Sequence, residues 1–463
     1  MAKVRNLNRD KIDFGNGKIG PLFRAIFFPT LIGMIFNTAL TLIDGIFVGQ
    51  GVGANGIAAV NIVAPIFMIS TGLGLMFGIG SSVIASIQLS ENNVKAARII
   101  LTQATIVGLI LMSLITSLCL IFPKELVYML GSSQALEELG ISYMVWLAPG
   151  LLFLYLECVG MMLIRLDGSP KFAMTIQIVA AILNIVLDWL MIFPLGWGLM
   201  GAAFATSIAC TVGGLMVLAY FIWFSDKLRF YRLKCSITSM LLTLRNVWYM
   251  TKIGFATFLT ELAMSIMMLT GNYMFISMLG EDGVAAFAIA CYLFPLVFSI
   301  SNAVAQSAQP IISFNYGAGN RFRVQQALRV SLTTAIVCGI LTALLLWSGT
   351  GVITRLFLSP DEAAYRLAVE GLPKFAICAI FFAINIAFIG YYQSIEKALL
   401  STLYTLLRGI VLLVPSFILL PDIFGVSGLW LAIPNAEFLT CLIISTVFIL
   451  TKRSKSHNKR MES

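Results

Sequence analysis

The chain has 463 residues, of which 59% are hydrophobic and 11% charged, with a mean hydropathy of +0.95. Soluble domains are about 45–50% apolar, so a water-soluble fold is excluded. Lys and Arg outnumber Asp and Glu by 30 to 21, a formal net charge of +9, and the one histidine, His457, leaves no imidazole for a Ser/His/Asp triad, a Cys/His pair or a His-based zinc site.

The first twenty residues are polar and basic, and the apolar run after them is too long for a signal-peptide core. The N-terminus is expected to stay uncut and cytoplasmic. A bilayer core of about 30 Å takes about 20 apolar residues per helix. Such runs lie near 21–47, 57–86, 99–121, 141–164, 172–193, 200–224, 254–278, 284–312, 330–350, 371–393, 399–420 and 427–450. They are continuously apolar rather than alternating, which argues against barrel strands. The eight cysteines form no C-x-x-C pair and mostly sit inside these runs, so they read as small hydrophobes.

Alternate connections carry Lys95 and Arg98, Arg165 and Lys171, the stretch from Lys227 to Lys252, Arg321, Arg323 and Arg329, Lys397, and the tail after Thr451. The intervening ones hold only Lys124, Arg355 and Arg366 beside several acids. Positive charge kept on one side places both termini in the cytoplasm and accounts for the basic excess without nucleic acid.

The sequence repeats at an offset of 227 residues: Gly56-Ile-Ala-Ala-Val60 recurs as Gly283-Val-Ala-Ala-Phe287, Pro194 as Pro421, Asn93 as Asn320, and Gly198 to Gly201 as Gly425 to Gly428. Six spans intervene, so the halves share one orientation. The fold expected is all-α and integral to the membrane: twelve transmembrane helices in two parallel six-helix lobes related by a pseudo-two-fold axis along the membrane normal. The domains are a cytoplasmic segment 1–20, an N-lobe 21–224, a basic linker 225–253, a C-lobe 254–450 and a basic tail 451–463. The string Gly51-Val-Gly53-Ala-Asn-Gly56 matches G-x-G-x-x-G, but it follows a membrane helix and reads as a tight turn. Asn315 to Asn320 lacks the P-loop Lys, and no Walker motif is present to bind ATP.

Ionisable residues inside the spans cost at least about 2.5–3.5 kcal/mol on insertion scales and mark functional positions. They are Asp44, Glu157, Asp188, Glu261, Arg408 and Glu437. At about 1.5 Å per residue, Asp44, Asp188 and Thr206 share the outer layer of the first lobe. Asn184 lies on the Asp188 face of its helix. Two carboxylates, an amide oxygen and a hydroxyl can hold a monovalent cation or share a proton.

At these residues the sequence resembles the multidrug and toxin extrusion (MATE) family of cation-coupled exporters. The resemblance runs through Asp44 to Gly49, Gly56 to Val60, Leu183 to Asp188, Gly201 to Thr206 and Gln309 to Asn320. It implies antiport of Na⁺ or H⁺ against lipophilic or cationic organic compounds by alternating access between lobes. It also implies a first-lobe cation site at Asp44, Asn184, Asp188 and Thr206, with a possible Na⁺ there, and a bend in span 1 at Pro29. Glu261 resembles an acid used by one branch, whereas span 10 has Asn385 and no carboxylate.

Glu157, Glu261 and Arg408 remain polar sites open to a substrate or structural role; Arg408 has Glu261 or Glu437 as its partner. Met161-Met162 and Met264 to Met268 read first as packing, and Phe153, Tyr155, Phe287 and Tyr292 are aromatics suited to a lipophilic cation. No catalytic set and no cofactor beyond the coupling ion, Na⁺ or H⁺, is expected. The partners are small organic cations or drugs and the lipid bilayer, with no nucleic acid and a monomeric chain, in the plasma (inner) membrane. A lipid-linked precursor flippase is the alternative, although intramembrane carboxylates outnumber intramembrane Lys and Arg.

Overall fold

The structure, a computed structural model, describes residues 12–234 and 236–461. Expectations that fall on residues 1–11, on Cys235 and on the side chain of His457 lie outside the described residues. In chain order the elements are α1 (Ile19–Gly51), α2 (Ala54–Ser90), α3 (Val94–Ile121), the short α4 (Pro123–Met129), α5 (Glu137–Leu166), α6 (Pro170–Ile192) and α7 (Gly198–Ala219), which runs on through a π-helical turn, Tyr220–Phe224. Then come α8 (Ile237–Gly317), α9 (Arg321–Arg355), α10 (Ala363–Ala376), α11 (Cys378–Ser394), α12 (Ala398–Leu406), a second π-helical turn (Leu407–Val411), α13 (Leu413–Phe424) and α14 (Val426–Met461).

Counting α10–α11 and α12–α13 each as one, eleven helices among the described residues are long and apolar enough to cross a membrane. One of them, α8, breaks at Gly280, where φ is 66° and ψ is −154°. That backbone is open to glycine and strained for other residues, and it separates expected spans 7 and 8, giving twelve. The repeat has a local cause at the helix starts. Asn93 accepts a hydrogen bond from the Ala96 amide and Asn320 from the Arg323 amide, both at 3.2 Å, so each asparagine caps the helix after it. The expected linker 225–253 is partly helical, because Ser236 accepts from the Ser239 amide at 3.2 Å and starts α8 at Ile237.

The chain forms two compact units. One comprises the residues up to Glu261 together with Gln306–Ala327 and Gln393–Ala398; the other comprises Leu262–Ala305, Leu328–Tyr392 and the residues from Leu399 onward. In the first, α5 packs on α7, α2 and α3, and α1 packs on α6. Tyr155 is fully buried there and donates its hydroxyl to the Ala104 carbonyl at 2.8 Å, with Gly108 leaving room for its ring. Met161 and Met162 are buried in the same unit. In the second unit Phe287 stacks on Phe275 with centroids 4.5 Å apart, Trp430 meets Phe275 edge-on at 5.0 Å, and Met264, Met267 and Met268 pack around them. These aromatics and methionines therefore build the cores, while Tyr292 is half-exposed and stacks on Phe357 at 5.8 Å.

The first unit also holds a reciprocal backbone crossing. A Cβ on Gly80 would run into the Met250 carbonyl, and one on Gly254 would run into the Met76 carbonyl. Small residues at such crossings let helices touch along their backbones, which in lipid substitutes packing for the hydrophobic effect. Gly80→Val is expected to cost about 1–3 kcal/mol through overpacking, read as a lower Tm of the purified protein, while Gly20→Ala, where nothing lies within 4 Å, leaves Tm unchanged. Equal Tm values for the two variants would contradict this reading of the crossing.

Candidate functional site

Three helices of the first unit supply the outer polar layer. α1 carries Asp44, α6 carries Asn184 and Asp188, and α7 carries Thr206. Asp188 and Asn184 are 0% and 2% exposed, and Asp44 and Thr206 are half-buried. The Asp44 and Asp188 carboxyl groups are near neighbours. No donor among the described residues reaches Asp44 Oδ1 or either carboxylate oxygen of Asp188. Asn184 Nδ2 donates to Thr206 Oγ1 at 3.4 Å, and Thr206 donates to the Ala202 carbonyl at 3.1 Å, which leaves the Asn184 amide oxygen as an acceptor. With three buried carboxylate oxygens and the Asn184 amide oxygen as acceptors, the set can accommodate a proton or a hard cation.

Packing fixes this layer. One turn beyond Asp44, Phe47 meets Phe193 edge-on with centroids 5.7 Å apart, closing α1 against the end of α6. Gly51 sits tight against Ile192, and Gly33 sits tight against the Gln177 side chain. Pro29 is buried within α1, which stays helical through it; the Ala25 carbonyl there loses its usual N–H partner. Tyr143 of α5 is buried close to both acids. Sequence reasoning missed it because one tyrosine in an apolar run carries no periodic signal.

The other intramembrane ionisable residues stand apart. Glu157 of α5 is half-buried opposite Gly213 of α7, where a Cβ would lie 2.6 Å from its carboxylate oxygen, so the glycine makes its space. Glu261 is half-buried, its Cβ facing Gly72 of α2. Arg408 pairs with Glu437 rather than Glu261. Its Nη2 is 2.8 Å from Oε1, its Nε donates to both carboxylate oxygens at 3.0 and 3.2 Å, and Asn385 Nδ2 donates to Oε2 at 2.7 Å. The guanidinium also lies 4.4 Å from the Phe382 ring centroid. All three polar side chains are buried, and the π-helical turn carries Arg408. Such turns are frequent at functional sites.

A second polar layer lies in the first unit near the basic loops. Arg165, 2% exposed, donates from Nη1 to Gln306 Oε1 at 2.7 Å; Ser82 donates to Gln309 Oε1 at 3.1 Å; Ser86 donates to the Pro310 carbonyl at 3.3 Å. Arg323 donates to the Phe14 and Gly17 carbonyls at 3.1 and 2.7 Å and to Asn315 Oδ1 at 2.7 Å, tying the segment before α1 to the end of α8. Asp13 starts that segment. The Asn16 amide holds its carboxyl below the ordinary value, so the small contribution of this turn is present at neutral pH and lost as pH falls through that lowered value. Gln306, Gln309 and Ser313 recur at i, i+3 and i+7, a helical polar stripe whose spacing is the signal in the sequence for this layer.

Removing one partner of a buried ion pair strands the other, a loss of about 3–5 kcal/mol. Glu437→Gln is therefore expected to lower Tm substantially, and adding Arg408→Met to recover part of the loss. A Tm unaffected by Glu437→Gln would show that this pair contributes nothing to stability.

The model of the MatE family matches residues 29–190 and again residues 256–418, the second match starting 227 residues after the first. The multidrug export protein MepA of Staphylococcus saprophyticus is 24% identical over 430 residues, covering 92% of each chain. Among solved structures, the outward-facing conformation of a multidrug resistance MATE family transporter of the MOP superfamily aligns with a TM-score of 0.88 at 23% identity, over 96% of this chain and 98% of that one. A MOP superfamily transporter from Pyrococcus furiosus aligns with a TM-score of 0.86 at 23% identity and the same coverage. The two-lobe, twelve-span fold is thus shared. The chain belongs to the MatE family and is a multi-pass membrane transporter, not an enzyme.

Proposed function

We propose that the chain exports lipophilic and cationic organic compounds from the cytoplasm across the plasma membrane, with both termini inside, in exchange for Na⁺ or H⁺ admitted at Asp44, Asn184, Asp188 and Thr206. The observation that carries this reading is the pair of facing carboxyl groups whose buried oxygens meet no donor. Two like charges in a low-dielectric setting repel, and each lacks the hydrogen bonds that would stabilise it. A proton on one acid, or a Na⁺ between them, removes both penalties. The site therefore favours ion entry, and a conformation that breaks the set favours ion exit.

Export follows from linkage. Substrate and ion exclude one another when each stabilises a different arrangement of the first lobe, and the factor by which one weakens the other is reciprocal. Glu157 gives cationic substrates a carboxyl group deeper in the same unit, in the space that Gly213 leaves for it. The clamp of Arg165 on Gln306 and of Arg323 on the segment before α1 supports alternating access. Pro29 supplies the weak point in α1 between that clamp and Asp44. The relatives called multidrug export proteins agree with this substrate class.

Asp188→Asn and Asp44→Asn keep size and hydrogen-bonding capacity but carry no exchangeable charge. In sealed proteoliposomes each is expected to lower ion-driven efflux at least about tenfold, within the 5–150-fold range of ordinary site-to-site coupling, with Tm near that of the wild type. Wild-type efflux from the double variant would overturn the assignment of coupling to this site. Pro29→Ala is expected to retain ion-dependent substrate release but slow turnover; unchanged turnover would remove the weak point from the cycle.

A further inference from the structure

Residues 227–252 have one face fixed and one face bare. On the fixed side, Arg98 Nε donates to the Lys227 carbonyl at 2.7 Å, the Tyr231 amide donates to Thr102 Oγ1 at 2.9 Å, and Gln103 of α3 bonds Thr243 and Asn246, both at 2.9 Å. Leu228 and Met250 are buried beneath. On the bare side, Ile237, Met240, Leu241, Leu244 and Trp248 fall at i, i+3, i+4, i+7 and i+11, which places them in one stripe along the start of α8. Every one of them is more than 60% exposed, Ile237 reaching 80%. Exposed Arg229, Arg232, Lys234, Arg245 and Lys252 accompany the stripe.

This stripe is not part of the length of α8 that spans the hydrocarbon core. From Ile237 to Gly280 the helix is about 66 Å long at 1.5 Å per residue, against a core of about 30 Å, and its apolar span begins only after Lys252. The first turns carry Thr238, Ser239, Thr243, Arg245 and Asn246, which hydrocarbon would reject. The retention of positive charge on one side explains the basic residues alone; it does not explain five large apolar side chains beside them. A stripe of that kind with a cationic border matches the boundary between lipid headgroups and acyl chains, where the apolar face dips in and the cations meet phosphate.

We propose that residues 227–252 are a docking surface for anionic phospholipid in the leaflet facing the basic loops. Arg229, Arg232, Lys234, Arg245 and Lys252 hold the headgroups, and the stripe from Ile237 to Trp248 sits among the upper acyl carbons. Charge complementarity selects anionic over zwitterionic lipid. Because α8 crosses α2 at Gly80 and Gly254 directly after this surface, lipid bound here fixes the approach of α8 to the first unit.

The test uses the full-length protein in nanodiscs of one fixed composition, phosphatidylcholine with a minority of phosphatidylglycerol, with bromine placed on one lipid or the other. The Trp248 signal is the difference between the wild type and Trp248→Phe. It is expected to be quenched by brominated phosphatidylglycerol beyond its share of the lipid. Replacing all five basic residues by Gln is expected to reduce that excess at least about threefold, a factor well within what five surface charges command, with Tm retained. Quenching in proportion to lipid share would overturn the selectivity and with it the proposal. Absence of quenching by either lipid, with Trp248 open to iodide or covered by a second copy, would overturn it as well. A quintuple variant that fails to fold leaves the wild-type comparison, which decides alone.

Discussion

Two neighbouring carboxyl groups, three of whose oxygens are buried and meet no donor, set the terms for the rest of the first unit. Asp188 is fully buried, Asp44 half-buried, and Asp44 Oδ1 and both Asp188 oxygens find no N–H or O–H among the described residues. Such a pair is neutralised by something that arrives from outside, or it is driven apart. The arrangement makes sense only if the packing around it tolerates both outcomes. The contacts that hold α1 to α6 suit that demand, including an edge-on ring pair at Phe47 and Phe193 and close approaches at Gly33 and Gly51.

The second half of the chain repeats the helices without repeating this constraint. The 227-residue offset carries Asp44 onto Gly271, Asn184 onto Val411, Asp188 onto Pro415 and Thr206 onto Ile433. None can carry a proton or bind a cation through its side chain. The buried charge of that half instead sits one turn or so away, where Arg408 and Asn385 both bond the Glu437 carboxylate, while Arg408 Nη1 and Asn385 Oδ1 find no partner among the described residues. A pair neutralised within the protein has little need of an ion from outside. The asymmetry makes the Arg408–Glu437 pair a structural polar node of the second half, in keeping with the proposal that coupling runs through the first lobe.

Much of this was legible in the residues. Continuous apolar runs gave the spans, the turn at Gly280 falls between expected spans 7 and 8, and the paired asparagines of the repeat prove to be caps at equivalent helix starts. Helical spacing put Asn184 beside Asp188, and depth along the helices put Asp44 near them. What stayed hidden depends on contacts between distant segments. Nothing in a string of letters told whether Arg408 would meet Glu261 or Glu437, because both acids lie on other helices at compatible depth. Tyr155 and Phe287 read equally well as cavity aromatics or as core, and only packing against Gly108 and Phe275 settles them as core. The start of α8 read as a linker because its polar residues mask the apolar stripe on its other face.

The central claim, that ion and substrate compete through the Asp44–Asp188 pair, is tested most directly by equilibrium binding of one lipophilic cation to the purified transporter. Its Kd is measured across pH at fixed Na⁺ and across Na⁺ at fixed pH, in the wild type and in the double Asp→Asn variant. The account predicts a Kd that rises with at least one of the two ions in the wild type and stays flat in the variant. A wild-type Kd that is constant under both titrations, or a variant that responds as the wild type does, would contradict it.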